Sequence, residues 1–133
     1  MLKYDDANEI LMVEFKAMKT AYYADDIGYD GEDDQYLFYS FEFVPYIYNQ
    51  LEERNTSELK KIFEFVEKLF REGDKELAGL ARVSIVNDIY DDDEYRKHKD
   101  KIMSLCGSLT LKSFRESEAE MSESKQVNGG VSA

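Results

Sequence analysis

The strongest rhythm of apolar positions in the chain runs through NTSELKKIFEFVEKLFREGD, residues 55–74. There Leu59, Ile62, Phe63, Val66, Leu69 and Phe70 fall at i, i+3, i+4, i+7, i+10 and i+11, which places them on one face of a helix. Asn55 is placed to cap its start. Glu58, three residues on, can reach back to the capping amide, while Gly73 is the expected left-handed residue at the end. Asp74 then caps a second helix. This one is apolar nearly all round (Leu77, Ala78, Leu80, Ala81, Val83, Ile85, Val86, Ile89), so it must be packed on two sides and is expected to be the central helix. Its small residues Ala78, Gly79, Ala81 and Ser84 allow close approach of neighbours.

Weaker stripes extend the helical reading in both directions. Leu11, Phe15, Met18 and Tyr22 predict one amphipathic helix over about 5–23. Leu37, Phe41, Val44, Tyr48 and Leu51 predict helix over 36–54, although YLFYSFEF also alternates like a strand and Pro45 interrupts the pattern. Two short helices or one bent helix satisfy both signals. Tyr95, His98, Ile102, Leu105, Cys106 and Leu109 share a further helical face opposite Arg96, Lys97, Lys99 and Lys101, and Leu109, Leu111 and Phe114 are placed to close the core from a short last helix. The fold class expected is all-α: a single-domain bundle, or a short array layered like HEAT repeats, of about five or six helices. The domain is expected over 1–115, with a disordered tail over 116–133, where Glu, Ser and Gly replace apolar residues.

Composition agrees and adds a charge argument. One Pro and seven Gly suit helices with short connections, and ten Tyr with eight Phe supply a large aromatic load. The formal charge of −12, from 29 acidic and 17 basic side chains, argues against nucleic-acid and anionic-membrane binding and for a basic partner. The single Cys106 excludes an intrachain disulfide, and the chain has neither a leader-like start nor a run of about 18 apolar residues. A cytoplasmic location is expected.

Catalytic and metal motifs are missing. Counted from Asp26, the acidic loop places Gly28 at position 3 and Leu37 at position 12, where a calcium-binding EF-hand needs oxygen ligands. His98 has no second His or Cys at ligand spacing, and Cys106 lies in an apolar run too far along a helix to touch it. No phosphate loop, GxSxG, HExxH or CxxC pair occurs. No enzyme, no cofactor and no metal site are expected.

What remains is surface. The stretch ADDIGYDGEDDQ, residues 24–35, holds six carboxylates, two glycines and no base, so it is expected to be an exposed loop. A second acidic run, Asp88 to Glu94, begins at the end of the central helix, where negative charge opposes the helix dipole. Folding alone does not favour it there. Tyrosines flank both runs, and Tyr is over-represented among residues that carry interface energy. The candidate partner-binding residues are therefore Asp25, Asp26, Tyr29, Asp30, Glu32, Asp33, Asp34 and Tyr36 in the first cluster and Tyr90, Asp91, Asp92, Asp93, Glu94 and Tyr95 in the second.

The stretch KKIFEFVEKLFREGDKELAGLARVSIVNDIYDDDEY resembles small helical immunity proteins of bacterial polymorphic-toxin and contact-dependent inhibition systems. The resemblance covers about 57–105. It implies a cytoplasmic protein without catalysis that binds a cognate toxin domain and blocks its active site or its access to the target. Such toxins are often nucleases with basic clefts, which would suit an acidic inhibitor. Two alternatives stand beside it: a helical adaptor that binds a peptide in an apolar interhelical groove, and an acidic mimic of DNA with carboxylates spaced like phosphates.

Overall fold

Helix α1, Ala7–Glu14, follows a 3-10 turn at Tyr4–Asp6, and helix α2, Lys16–Ala24, follows it after a single residue. The structure, a computed structural model, describes residues 1–24, 28–31 and 34–131, with side chains described through residue 122. The remaining elements are α3 over 34–52, α4 at Thr56–Glu72, α5 over 75–91, α6 at Tyr95–Leu105 and α7 at Ser108–Val131. Seven helices, the 3-10 turn and one isolated bridge, between Leu2 and Gly73, make up the regular structure among the described residues. The all-α single domain expected from the sequence is the one observed.

Where one helix was expected over 5–23, two are found. Phe15 is extended (φ −127°, ψ 106°) and turns α2 away from α1. Its ring is buried against Phe43 and Phe65, at 5.4 and 5.3 Å between centroids. Lys61 holds the break from outside: its ammonium donates to the Glu14 carbonyl at 2.8 Å and lies 5.0 Å from the centre of the Phe15 ring.

Pro45 bends no second helix into being. Helix α3 is continuous, and a π-helical stretch at Tyr39–Phe43 ends one residue short of Pro45, with the Val44 amide reaching back to the Tyr39 carbonyl. The wider turn relieves the clash that proline makes with the carbonyl four residues back. The strand alternative for YLFYSFEF is not realised, because the helical rotation puts Phe38, Tyr39 and Phe43 inside together.

The amphipathic α4 buries Leu59, Ile62, Phe63, Val66 and Leu69, with Phe70 half-buried, as its stripe predicts. Phe65 is buried too, off the stripe, because α2 and α3 bring Phe15 and Phe43 to it. Asn55 caps α4 by accepting from the Glu58 amide at 3.3 Å, and Asp74 caps α5 by accepting from Leu77 at 2.8 Å. The central position of α5 is observed: it packs on α3, α4 and α7, and it contains a second π-helical stretch at Ala81–Asn87.

Gly73 differs from expectation. Its backbone is extended (φ −76°, ψ 152°), not left-handed. Glycine is needed there for close approach, since a Cβ would lie 2.4 Å from the Leu69 carbonyl oxygen. The N-terminal segment docks at the same point: the Leu2 amide donates to Glu72 at 2.8 Å, and the Asp74 amide donates to Leu2 at 2.7 Å.

Helix α7 is long where a short one was expected, and it passes the boundary placed at residue 115. Phe114 closes the core, Ser117 is buried and donates to Asn87 Oδ1 at 2.5 Å, and Glu120 pairs with Arg82. Its start is capped from another helix. Glu67 of α4 accepts from the Leu109 and Thr110 amides at 3.1 and 2.9 Å and from the Thr110 hydroxyl at 2.9 Å. Burial pushes the Glu67 carboxyl up, but the Thr110 and Leu109 amides, the Thr110 hydroxyl and the Arg71 charge together outweigh it and hold the group below the usual carboxylate range.

Candidate functional site

The N-terminal bridge does more than close the fold. It sets Tyr4 on Asp74, whose second oxygen accepts the Tyr4 amide at 3.1 Å, and so places the first turn of α5 beside the first turn of α1. Tyr29 and Gln35 are then pinned across α1. The Asn8 side chain donates to the Tyr29 carbonyl at 3.1 Å, the Asn8 amide donates to Gln35 at 3.2 Å, and Gln35 donates to the Tyr4 carbonyl at 2.9 Å.

These contacts enclose a groove of about 660 Å³. Its described lining holds the carboxylates of Asp5, Glu9, Asp30 and Glu76, all exposed, with Met12 and the rings of Tyr22 and Tyr23, and neither Lys nor Arg. Tyr23 is 73% exposed and stands edge-on to Tyr22 at 5.1 Å. A concave surface with four carboxylates, exposed aromatic area and no base among its described lining residues can take a cationic, partly apolar group.

Of the first set of candidates, Asp30 lines this groove, while Asp25, Asp26, Glu32 and Asp33 lie outside the described residues, as do parts of the loop tested against the EF-hand pattern. Asp34 is used locally, accepting from the Gly31 amide at 2.9 Å. Tyr29 is buried against Phe38 at 5.0 Å and donates to Glu42 at 3.1 Å, and Tyr36 is half-buried against Tyr4. These two tyrosines anchor the loop and do not present an open face. Sequence reasoning missed Asp5, Glu9 and Glu76. The spacing of Asp5 and Glu9, one turn apart at the start of a helix, carried part of the signal; Glu76 carried none, because contacts of Leu2 and Tyr4 with residues 72–74 bring it there.

The second acidic run forms a corner between α5 and α6. The expectation that folding disfavours it needs correction. It ends α5 but also begins α6, where negative charge is favourable, and Asp92 accepts from the Glu94 amide at 2.9 Å to hold the turn. Asp91, Asp92, Asp93 and Glu94 are exposed, and a groove of about 510 Å³ beside them is lined by Asp91 to Asp93, Tyr90, Tyr95, Met121 and Glu118 and also by Arg96 and Lys99. Asp91 and Asp93 make no ion pair among the described residues. Tyr90 is half-buried. Tyr95 is a core residue, stacked on Phe114 at 6.1 Å, and burial, then the Glu118 charge, pushes its hydroxyl up to about 12.

His98 and Cys106 each have a hydrogen-bond partner. The Cys106 thiol donates to the Ile102 carbonyl at 3.2 Å, and burial, with Glu67 adding to it, pushes it up to about 12, far from a reactive thiolate. His98 hydrogen-bonds Glu52 at 2.8 Å, and hydrogen bonds from His98 and then Lys97 hold the Glu52 carboxyl below its usual range. Glu52, Glu94 and His98 are the one group of three ligand-type side chains found within reach of one ion among the described residues.

Residues 8–122 match the family described as a domain of unknown function, DUF7674, and the chain belongs to that family. The match takes in Glu9, Asp30 and Glu76 of the first acidic groove and the whole of the second acidic run, and begins just after Asp5. No curated protein and no solved structure matches the chain. No helix among the described residues is long and apolar enough to cross a membrane.

Proposed function

We propose that this chain is a non-catalytic binding protein that neutralises a basic protein partner by occlusion, in the manner of an immunity protein acting on its cognate toxin domain in the cytoplasm. The observation that carries the reading is the tyrosine-lined groove with Asp5, Glu9, Asp30 and Glu76 and no base among its described lining residues. Four exposed carboxylates in a concavity sum their fields and steer a cationic surface inward, while Tyr22, Tyr23 and Met12 supply contact area. The corner at Asp91 and Asp93 extends the acidic surface to a second place on the domain. The adaptor alternative needs an apolar groove. Of the exposed large apolar residues, Val13 and Val83 lie singly on α1 and α5, Leu109 and Met121 lie twelve residues apart on α7, and Leu37 with Phe41 forms one short strip, a single turn long, on α3.

The test is co-expression with the C-terminal domain of the protein encoded in the neighbouring reading frame. The expected result is a stoichiometric complex and loss of that domain's toxicity. A domain that is harmless alone, or toxic with no complex formed, contradicts the proposal.

A further inference from the structure

We propose that Glu52, Glu94 and His98 form a binding site for one divalent transition-metal ion of the zinc or cobalt type. The last residue of α3 supplies Glu52, the residue before α6 supplies Glu94, and the first turn of α6 supplies His98. One ligand atom from each lies within 4.8 Å of the others, and His98 Nε2 is 2.8 Å from Glu52 Oε1. Ligand bonds of about 2.0–2.2 Å hold donor atoms roughly 3–4 Å apart around an ion, so closure asks for a movement of on the order of 1 Å by the exposed Glu94.

Two features set this trio apart from an ordinary exposed acidic group. His98 is prearranged: its side chain is 11% exposed and its ring packs on Tyr48 at 6.0 Å between centroids. A cation already sits between the carboxylates, since Lys97 Nζ lies 3.1 and 3.2 Å from the two Glu52 oxygens and 3.9 Å from Glu94. That ammonium marks where positive charge is favoured, and on its flexible, solvent-exposed stem it can leave to make way for an ion of higher charge. An imidazole with two carboxylates selects zinc-like metals over magnesium and calcium, which prefer oxygen alone. The net charge of −12 concentrates dications at the surface. The bound ion would tie α3 to the acidic corner that opens α6.

His98 is the single histidine of the chain, so its imidazole resonances report on this site alone. Titration of the full chain with Zn²⁺ or Co²⁺ is expected to saturate at one ion per chain and to shift those resonances, whereas Mg²⁺ does not. His98→Gln and Glu52→Gln should each weaken binding about tenfold or more. Lys97→Ala should strengthen it severalfold, while Lys19→Ala, which changes net charge equally on α2, should not. Far-UV circular dichroism before metal addition separates loss of a ligand from loss of fold, and the gain in Lys97→Ala is one that no unfolded chain produces. Uptake without saturation, unchanged affinity in His98→Gln, or equal gains in Lys97→Ala and Lys19→Ala would overturn the site.

Discussion

Glu67→Ala tests how the last helix is held, because one carboxylate of α4 satisfies three donors at the start of α7. The substitution removes a cap, a charge at a helix N-terminus and the acceptor of the buried Thr110 hydroxyl. A lost cap costs about 1 kcal/mol, the charge about 0.3–1 kcal/mol, and an unsatisfied buried donor about 1–3 kcal/mol. These overlap, and the Leu109 amide is exposed enough to be solvated, so a total of about 2 kcal/mol is expected. For a chain of this size that lowers Tm by roughly 6–12 °C. Glu67→Gln keeps an acceptor oxygen and should cost about half as much. The pH dependence fixes the sign. Glu67 has its folded-state pKa lowered, so the unfolded chain binds the proton more readily, and its stabilisation is present above the ordinary carboxylate range and lost as pH falls through the lowered folded value. Urea unfolding followed at 222 nm, at neutral pH and again below the carboxylate range, should find wild type and Glu67→Gln converging in acid. A Glu67→Ala variant within about 0.5 kcal/mol of wild type at neutral pH would refute the reasoning, since that is the spread of inert surface changes.

Two further substitutions probe the framework of the groove. Tyr39→Phe removes a hydroxyl that donates to the Ala7 carbonyl at 2.6 Å inside the core, and should cost about 1–2 kcal/mol by the same unfolding assay. Gly73→Ala forces a Cβ to within 2.4 Å of the Leu69 carbonyl oxygen and 3.2 Å of Leu77; it should cost about 1–3 kcal/mol and increase amide exchange at Leu2 and Asp74, whose amides donate across the bridge.

The sequence made the helical core legible where one face of an element decides its burial. The stripe from Leu59 to Leu69 and the all-round apolar α5 are of this kind, and both are buried as their patterns predict. Phe15 lies in register with Leu11 and Met18, so nothing in the spacing marks it as the place where α1 ends. The break is set by Phe43, Phe65 and Lys61, which come from elsewhere in the chain. Gly73 announced a helix end correctly, but the conformation it takes answers to Leu2 and not to the helix alone.

The site was legible as chemistry more than as geometry. Carboxylates and tyrosines around residues 24–35 are plain in the text of the chain, and the groove lies there. Which tyrosines face outward was not legible, since Tyr29 and Tyr23 have similar neighbours in sequence, yet one is 3% and the other 73% exposed. Convergence of Glu76 with Asp5 and Glu9 depends on a contact between the two ends of the domain's first half. In the second cluster Asp92 and Glu94 serve the start of α6 as much as they burden the end of α5, and the run of carboxylates alone does not show which helix they belong to.

The proposal that the acidic groove takes a basic protein is tested most directly by the salt dependence of affinity for the co-expressed partner. Glu9→Gln/Glu76→Gln removes two groove carboxylates that hold no ion pair among the described residues. At low ionic strength the proposal predicts a loss of roughly tenfold, about 1.4 kcal/mol, and a flatter fall of affinity with salt than in wild type. Equal affinity and an equal salt slope in the two proteins would contradict it.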